Sequence, residues 1–222
     1  MSIEKREKCR ELVKEALLKF GGTLPKDGTF TGIPEADVLI RSNPFAFLMA
    51  ASIDRGARAE TVWKIPWYLK QKMGNLDPEK LSQMTPAELE DIIRQLPKKP
   101  RFPNQAAKTI VCLAKLVSQE FCGDAEQIWQ DKSVDSLLKS LQKIYGVGPG
   151  IAAMTVRILI DEGQYHPQPS DLRKIDIKPD IQVTKVFCRS GLSPSRDGQL
   201  CIEAARQLIQ NFLANSTGLR GR

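Results

Sequence analysis

Apolar residues recur along this chain at helical spacing, and the polar or glycine- and proline-rich stretches between them are short. Leu12, Ala16 and Phe20 form one stripe of a helix predicted over Ile3–Phe20, which Gly21-Gly22 closes as a C-terminal signal. Residues 23–40 read as a connection punctuated by glycine and proline. Ser42-Asn43-Pro44 opens the next helix, with Pro44 in the first turn, where no backbone donor is needed. Residues 45–53 are almost uniformly apolar, so this helix is expected to be buried on most sides. A polar break at 54–59 follows, and residues 60–72 resume the helical pattern with Val62, Trp63, Trp67 and Tyr68.

Start signals are clear further on. Asp77-Pro78-Glu79 begins a short helix, and Thr85-Pro86-Ala87-Glu88 is a capping box leading into Leu89, Ile92 and Ile93. Three prolines keep residues 97–103 out of regular helix. Residues 104–121 then make a long amphipathic helix with Ala107, Ile110, Val111, Ala114 and Val117 facing inward. Ser133 caps a helix over 134–144, and another covers 151–161. Residues 163–178 are irregular, Ile181–Arg189 and 200–213 are the last helices, and 215–222 should fray. Neither an internal repeat nor a run of strands interrupts this pattern, so the fold class is all-α.

Composition narrows the partners. The longest apolar stretches, such as 151–160 with Arg157 in its middle, are too short to span a bilayer. The amino-terminal residues lack the pattern of a signal peptide, which leads to the expectation of a cytoplasmic protein. Cys9, Cys112, Cys122, Cys188 and Cys201 are scattered without a CxxC pair, and His166 is the single histidine. That set matches no zinc or iron–sulfur pattern, so neither metal nor cofactor is expected and the cysteines read as reduced thiols. A net charge of +7 favours a polyanionic partner. Residues 94–115 hold Arg94, Lys98, Lys99, Arg101, Lys108 and Lys115 with no acid, and basic residues outnumber acidic ones from Arg173 to Arg222. Solvated faces would account for the same charge clusters.

Candidate chemistry lies at residues 133–160, which read as helix, tight glycine turn, helix. Leu137, Leu141 and Ile144 pattern the first helix, and Ala152 and Val156 the second. Between them stands Tyr145-Gly146-Val147-Gly148-Pro149-Gly150. Glycine serves where φ is positive or another backbone comes close, and Val147 can plug the space between the helices. Such a turn presents backbone N–H groups at the start of the second helix, where the helix dipole also favours an anion such as a DNA phosphate. Contacts of this kind read phosphate and shape rather than base sequence.

From Asn43 to Leu192 the chain resembles the helix-hairpin-helix DNA glycosylase superfamily of endonuclease III-like proteins. Three blocks carry the resemblance: Asn43-Pro44-Phe45-Ala46-Phe47-Leu48-Met49-Ala50-Ala51, the hairpin at 141–153, and Lys178-Pro179-Asp180-Ile181-Gln182-Val183-Thr184-Lys185-Val186-Phe187. The resemblance implies a two-lobed helical fold with a cleft between lobes: one glycosylase unit over 1–222, with 42–162 as the lobe holding the hairpin at 133–161, and 1–41 plus 163–222 as the second lobe. It implies a base-excision repair hydrolase that flips a damaged or mispaired base from double-stranded DNA and cleaves its glycosidic bond. A monomer in the cytoplasm, associated with the nucleoid if the source is bacterial or archaeal, is the expected form.

The family's catalytic carboxylate maps onto Asp180, which at a helix start also has an ordinary capping reading. Asp176 is the alternative in this irregular stretch. The hairpin residues Gly146, Val147, Gly148 and Gly150 would hold DNA together with Arg55, Arg58, Lys143 and Lys185, and Tyr145 would line the base pocket. Arg55 or Arg58 would wedge into the stack or hold phosphate, or else pair with Asp54 or Glu60 on the surface. Two departures qualify the resemblance. Bifunctional relatives carry a Schiff-base lysine where this chain has Gly150, so a monofunctional enzyme using water is expected. The family's iron–sulfur cysteines are also missing. A non-catalytic DNA-binding protein that kept the hairpin is the alternative function.

Overall fold

Proline starts most of the helices. The computed structural model describes residues 3–20 and 29–217, and prolines stand in the first turn of seven helices: α2 (Pro34–Ser42), α3 (Pro44–Ser52), α5 (Ile65–Met73), α6 (Pro78–Gln83), α7 (Pro86–Arg94), α8 (Pro103–Glu120) and α10 (Pro149–Asp161). Its fixed φ suits that position, and its missing N–H costs nothing there. The other helices are α1 (Ile3–Phe20), α4 (Ala59–Val62), α9 (Val134–Gln142), α11 (Ile181–Arg189) and α12 (Gly198–Thr217). Short 3-10 turns cover Ala125–Ile128 and Pro169–Lys174. The described residues contain no strand, and the chain is all-α. No described helix is long and apolar enough to cross a membrane.

Side-chain caps close several helix starts. Asn43 accepts from the Ala46 N–H at 2.9 Å, and Asp77 from Glu79 at 2.9 Å. Thr85 and Glu88 form the reciprocal capping box expected of them. Ser133 accepts from the Ser136 N–H at 3.2 Å.

One compact unit lies within Gly28–Leu172. Helix α3 is its axis, with every residue from Phe45 to Ser52 buried. Around it pack α2, α5, α8 and α10. The Phe47 ring meets Trp63 edge-on at 5.7 Å and Trp129 at 6.3 Å, while Phe30 stacks on Trp63 at 4.6 Å. Trp63 and Trp129 are therefore core residues, whereas Trp67 is half-buried beside Tyr68. Helices α6 and α7 lie on α8, and α9 pairs with α10.

The second unit comprises α1 and the chain from Arg173 onward. Helix α12 packs on α11 and on α1, burying Cys201, Ala204 and Ala205. Arg206 grips Asp176 with two bonds, Nε at 2.8 Å and a terminal nitrogen at 2.6 Å. That pairing raises the Arg206 guanidinium above its ordinary value.

Several boundaries depart from the sequence-based expectation. Helix α2 occupies part of the stretch read as a connection. Its Ala36, Leu39 and Ile40 are buried at i, i+3, i+4 spacing, and they hold it in the α3 unit rather than with α1. The Arg41–Glu162 ion pair at 2.9 Å, with the Gln164 side chain on the Arg41 carbonyl at 3.2 Å, keeps the residues just after α10 in that unit as well. The units therefore part outside the expected 41/42 and 162/163 boundaries. The helix expected over 60–72 breaks at Trp63-Lys64, because Pro66 has no N–H for the residue 62 carbonyl. Helix α12 runs through Asn215 to Thr217, where fraying was expected; residues 218–222 and the Gly21-Gly22 stop signal lie outside the described residues.

Asp37 exemplifies how α2 is fixed. Its buried carboxylate accepts the Thr31 N–H and hydroxyl, each at 2.8 Å. Asp37→Ala would strand a buried donor and is expected to lower stability by about 1–3 kcal/mol in urea titration. A variant with wild-type stability would show that this cluster does not anchor α2.

Candidate nucleic-acid interface at the hairpin

The turn between α9 and α10 follows from its glycines. Val134, Leu137, Leu141 and Ile144 are buried on the first side, and Ala152, Ala153, Val156 and Leu159 on the second. After α9 the Ile144 carbonyl accepts the Val147 N–H at 3.0 Å, closing a turn around Gly146 at φ +77°. Val147 is buried at 6% exposure, between neighbours that are open to solvent. Gly148 caps α10 in extended conformation (φ −89°, ψ 177°), and no side chain caps that helix. Pro149 brings no N–H, so the Gly150 and Ile151 amides are the first helical donors and have no acceptor within the helix. Space beside Gly148 is open for 4 Å around a notional Cβ. An uncapped helix start of this kind can take an anion.

Helix α8 holds the turn from beneath. Thr109, Cys112 and Glu120 lie along one side of it. The Thr109 hydroxyl reaches the Tyr145 carbonyl at 2.9 Å and, alternatively, the Gln105 carbonyl of its own helix at 2.9 Å. The Cys112 sulfur accepts the Tyr145 N–H at 3.2 Å and lies 3.7 Å from the Lys143 carbonyl. Glu120 takes the Lys143 ammonium at 2.6 Å. Sequence reasoning assigned none of these three a role, and Cys112 is more than an incidental thiol. Their only sequence signal is that they recur on one side of an amphipathic helix.

Arg55 completes the arrangement. One terminal nitrogen donates to the Gly146 carbonyl at 3.0 Å; the other donates to the Thr109 hydroxyl at 2.6 Å and approaches the Ser52 carbonyl at 3.5 Å. Burial pulls its guanidinium below the ordinary arginine value, and Tyr145 opposes that shift. The side chain thus points at the hairpin turn, and Glu60 pairs with Lys64 at 3.0 Å instead. On the loop's other side, Gly56 at φ +69° lies against Phe102 and the Arg101 stem, with the Arg101 guanidinium 5.2 Å from the Phe102 ring. Arg58 is exposed at the start of α4.

Of the other expected site residues, Tyr145 is 47% exposed at the turn. Asp180 and Lys185 belong to the second unit. Asp180 caps α11, its Oδ1 accepting the Gln182 and Val183 N–H groups at 2.8 Å each. That carboxylate is exposed, and Lys185 is half-buried on the same helix. Asp176 is engaged by Arg206, as described above. The structure therefore brings Arg55, Tyr145 and the hairpin glycines together, with Lys143 tied to Glu120. Comparison with protein-family models, with curated proteins and with solved structures found no match.

The two turn glycines are expected to respond oppositely to serine. At Gly146 a Cβ would meet the Arg55 guanidinium and carry the strain of positive φ, so Gly146→Ser should cost at least about 1–3 kcal/mol. Gly148→Ser adds a side-chain cap in a conformation serine adopts readily, and stability should hold or rise by a few tenths of a kcal/mol. Equal thermal denaturation of the two variants would count against this geometry.

Proposed function

We propose that the chain is a DNA repair glycosylase that holds duplex DNA at the hairpin and hydrolyses the glycosidic bond of a flipped, damaged or mispaired base. One observation carries the proposal: the glycine turn leaves the start of α10 exposed and uncapped, with the Gly150 and Ile151 amides facing no acceptor of their own helix. A phosphate supplies what those donors lack, and the basic character of the chain draws a polyanion to it. This supports binding to DNA through the backbone, independent of base sequence. The reading takes the chain to act as a monomer on double-stranded DNA.

Asp180 takes the catalytic role in this proposal. As the base leaves with the bonding electron pair, positive charge develops on the sugar, and a carboxylate beside it lowers the barrier. Water then adds its oxygen to the anomeric carbon, and Asp180 takes a proton from it. Capping does not conflict with this chemistry, since both N–H bonds fall on Oδ1 and Oδ2 is left for the reaction. Gly150 offers no amine at the position where bifunctional members of the family that the chain resembles carry a lysine, so the proposed reaction stops at hydrolysis.

The test is a base-release screen over duplexes carrying alkylated, oxidised, deaminated and mismatched bases. Wild type should release at least one class, and Asp180→Asn, which keeps the cap, should lose about 100-fold or more of the rate at unchanged DNA affinity. Borohydride should trap no covalent adduct. Gly148→Ser, whose hydroxyl competes for the amides, should weaken duplex binding without loss of stability. Steep salt-dependent binding with no lesion excised would leave a non-catalytic DNA-binding protein; absence of duplex binding would sink both.

A further inference from the structure

We infer that Arg55 is a positioning residue: its guanidinium sets the geometry of the phosphate-facing hairpin turn and does not itself contact DNA. This rests on the proposal that the turn holds DNA. The sequence alone leaves Arg55 as a wedge, a phosphate ligand or a surface ion-pair partner, and the bonds it makes point elsewhere. Both terminal nitrogens are used on the protein, one on the Gly146 carbonyl and one on the Thr109 hydroxyl. The Gly146 carbonyl belongs to the peptide whose N–H is that of Val147, and that N–H closes the turn onto Ile144. Fixing this peptide plane fixes how the chain enters Gly148 and the amides beyond it.

The space around the turn supports the same role. A Cβ on Gly146 would collide with both terminal nitrogens and the central carbon of Arg55, so the glycine's bare face is the seat of the guanidinium. Thr109 links the two: it accepts from Arg55 and reaches the Tyr145 carbonyl one residue before Gly146. The loop that carries Arg55 is itself held at Gly56 by Phe102 and the Arg101 stem. Residues 54–56, the hairpin turn and the start of α8 are therefore fastened to one another around this side chain. A lysine keeps the charge but not the planar fork that serves two acceptors in different directions.

Three variants and two measurements test the inference. Arg55→Lys, Arg55→Ala and Thr109→Val are compared with wild type for duplex affinity across a salt series and for amide hydrogen exchange. Expected for Arg55→Lys and Thr109→Val is an affinity loss of about tenfold, with the slope of log K against log salt unchanged and the melting temperature within a few degrees. Exchange at the Val147 and Tyr145 amides should speed up by about the same factor, while the α8 core amides stay protected. Arg55→Ala should behave alike; if it does not fold, the lysine variant carries the test. Wild-type affinity in Arg55→Lys, or a slope lowered by about one in Arg55→Ala, would make Arg55 a phosphate ligand and overturn the inference. Unchanged exchange at the turn would overturn it too. If wild type fails to bind duplex DNA, the functional proposal falls and with it this role in binding, whereas the exchange data would still decide whether Arg55 holds the turn.

Discussion

A helix that is apolar on every side can exist only if other helices surround it, and α3 imposes that requirement on the larger unit. Each residue from Phe45 to Ser52 is buried, so α2, α5, α8 and α10 must cover it. The hairpin inherits its position from this constraint, because α10 is one of the covering helices. So does Arg55, which leaves the end of α3 within three residues and turns back toward the hairpin. The demand for burial in the middle of the unit thus delivers a cation to the rim.

At that rim the balance of donors and acceptors decides what is available to a ligand. Carbonyl groups of the turn are claimed from the protein side: Gly146 by Arg55, Tyr145 by Thr109, and Ile144 by Val147. Amides at the start of α10 have no such partner inside their helix, and a side-chain cap is absent. The surface left over is rich in donors and poor in acceptors, which suits an anion. Lys143 adds little free charge there because Glu120 holds it. In the proposed binding, attraction of a polyanion at the turn would then rest more on the exposed backbone than on the lysine beside the hairpin.

Local chemistry made much of the fold legible. Capping residues and first-turn prolines mark α3, α6 and α7 within a residue or so, since those signals act over a single turn. Where tertiary packing decides, the sequence misled. Residues 34–42 look like a connection because Gly32, Pro34 and acidic residues crowd their start, yet Ala36, Leu39 and Ile40 fill the side of α3. Gly146 was legible because positive φ and close approach at its bare face both demand glycine, whereas Gly148 is extended with open space around it and any small residue would fit there. The clasp beneath was not. Arg55, Thr109 and Cys112 lie 54 and 3 positions apart in the chain, and no local pattern joins an arginine in a loop to a threonine on a later helix.

Under the proposed reaction, Asp180 would serve structure and chemistry together. A cap needs an acceptor aimed at two amides, and one carboxylate oxygen meets that need here. The proposed catalysis needs a negative oxygen that is unclaimed, and the second oxygen of the same group takes no part in the cap. Helix α11 supplies the orientation through its Gln182 and Val183 N–H groups. Asparagine can replace the cap but not the charge. The distinction between the two roles therefore lies in electrostatics alone, which is why a substitution that preserves the fold can separate them.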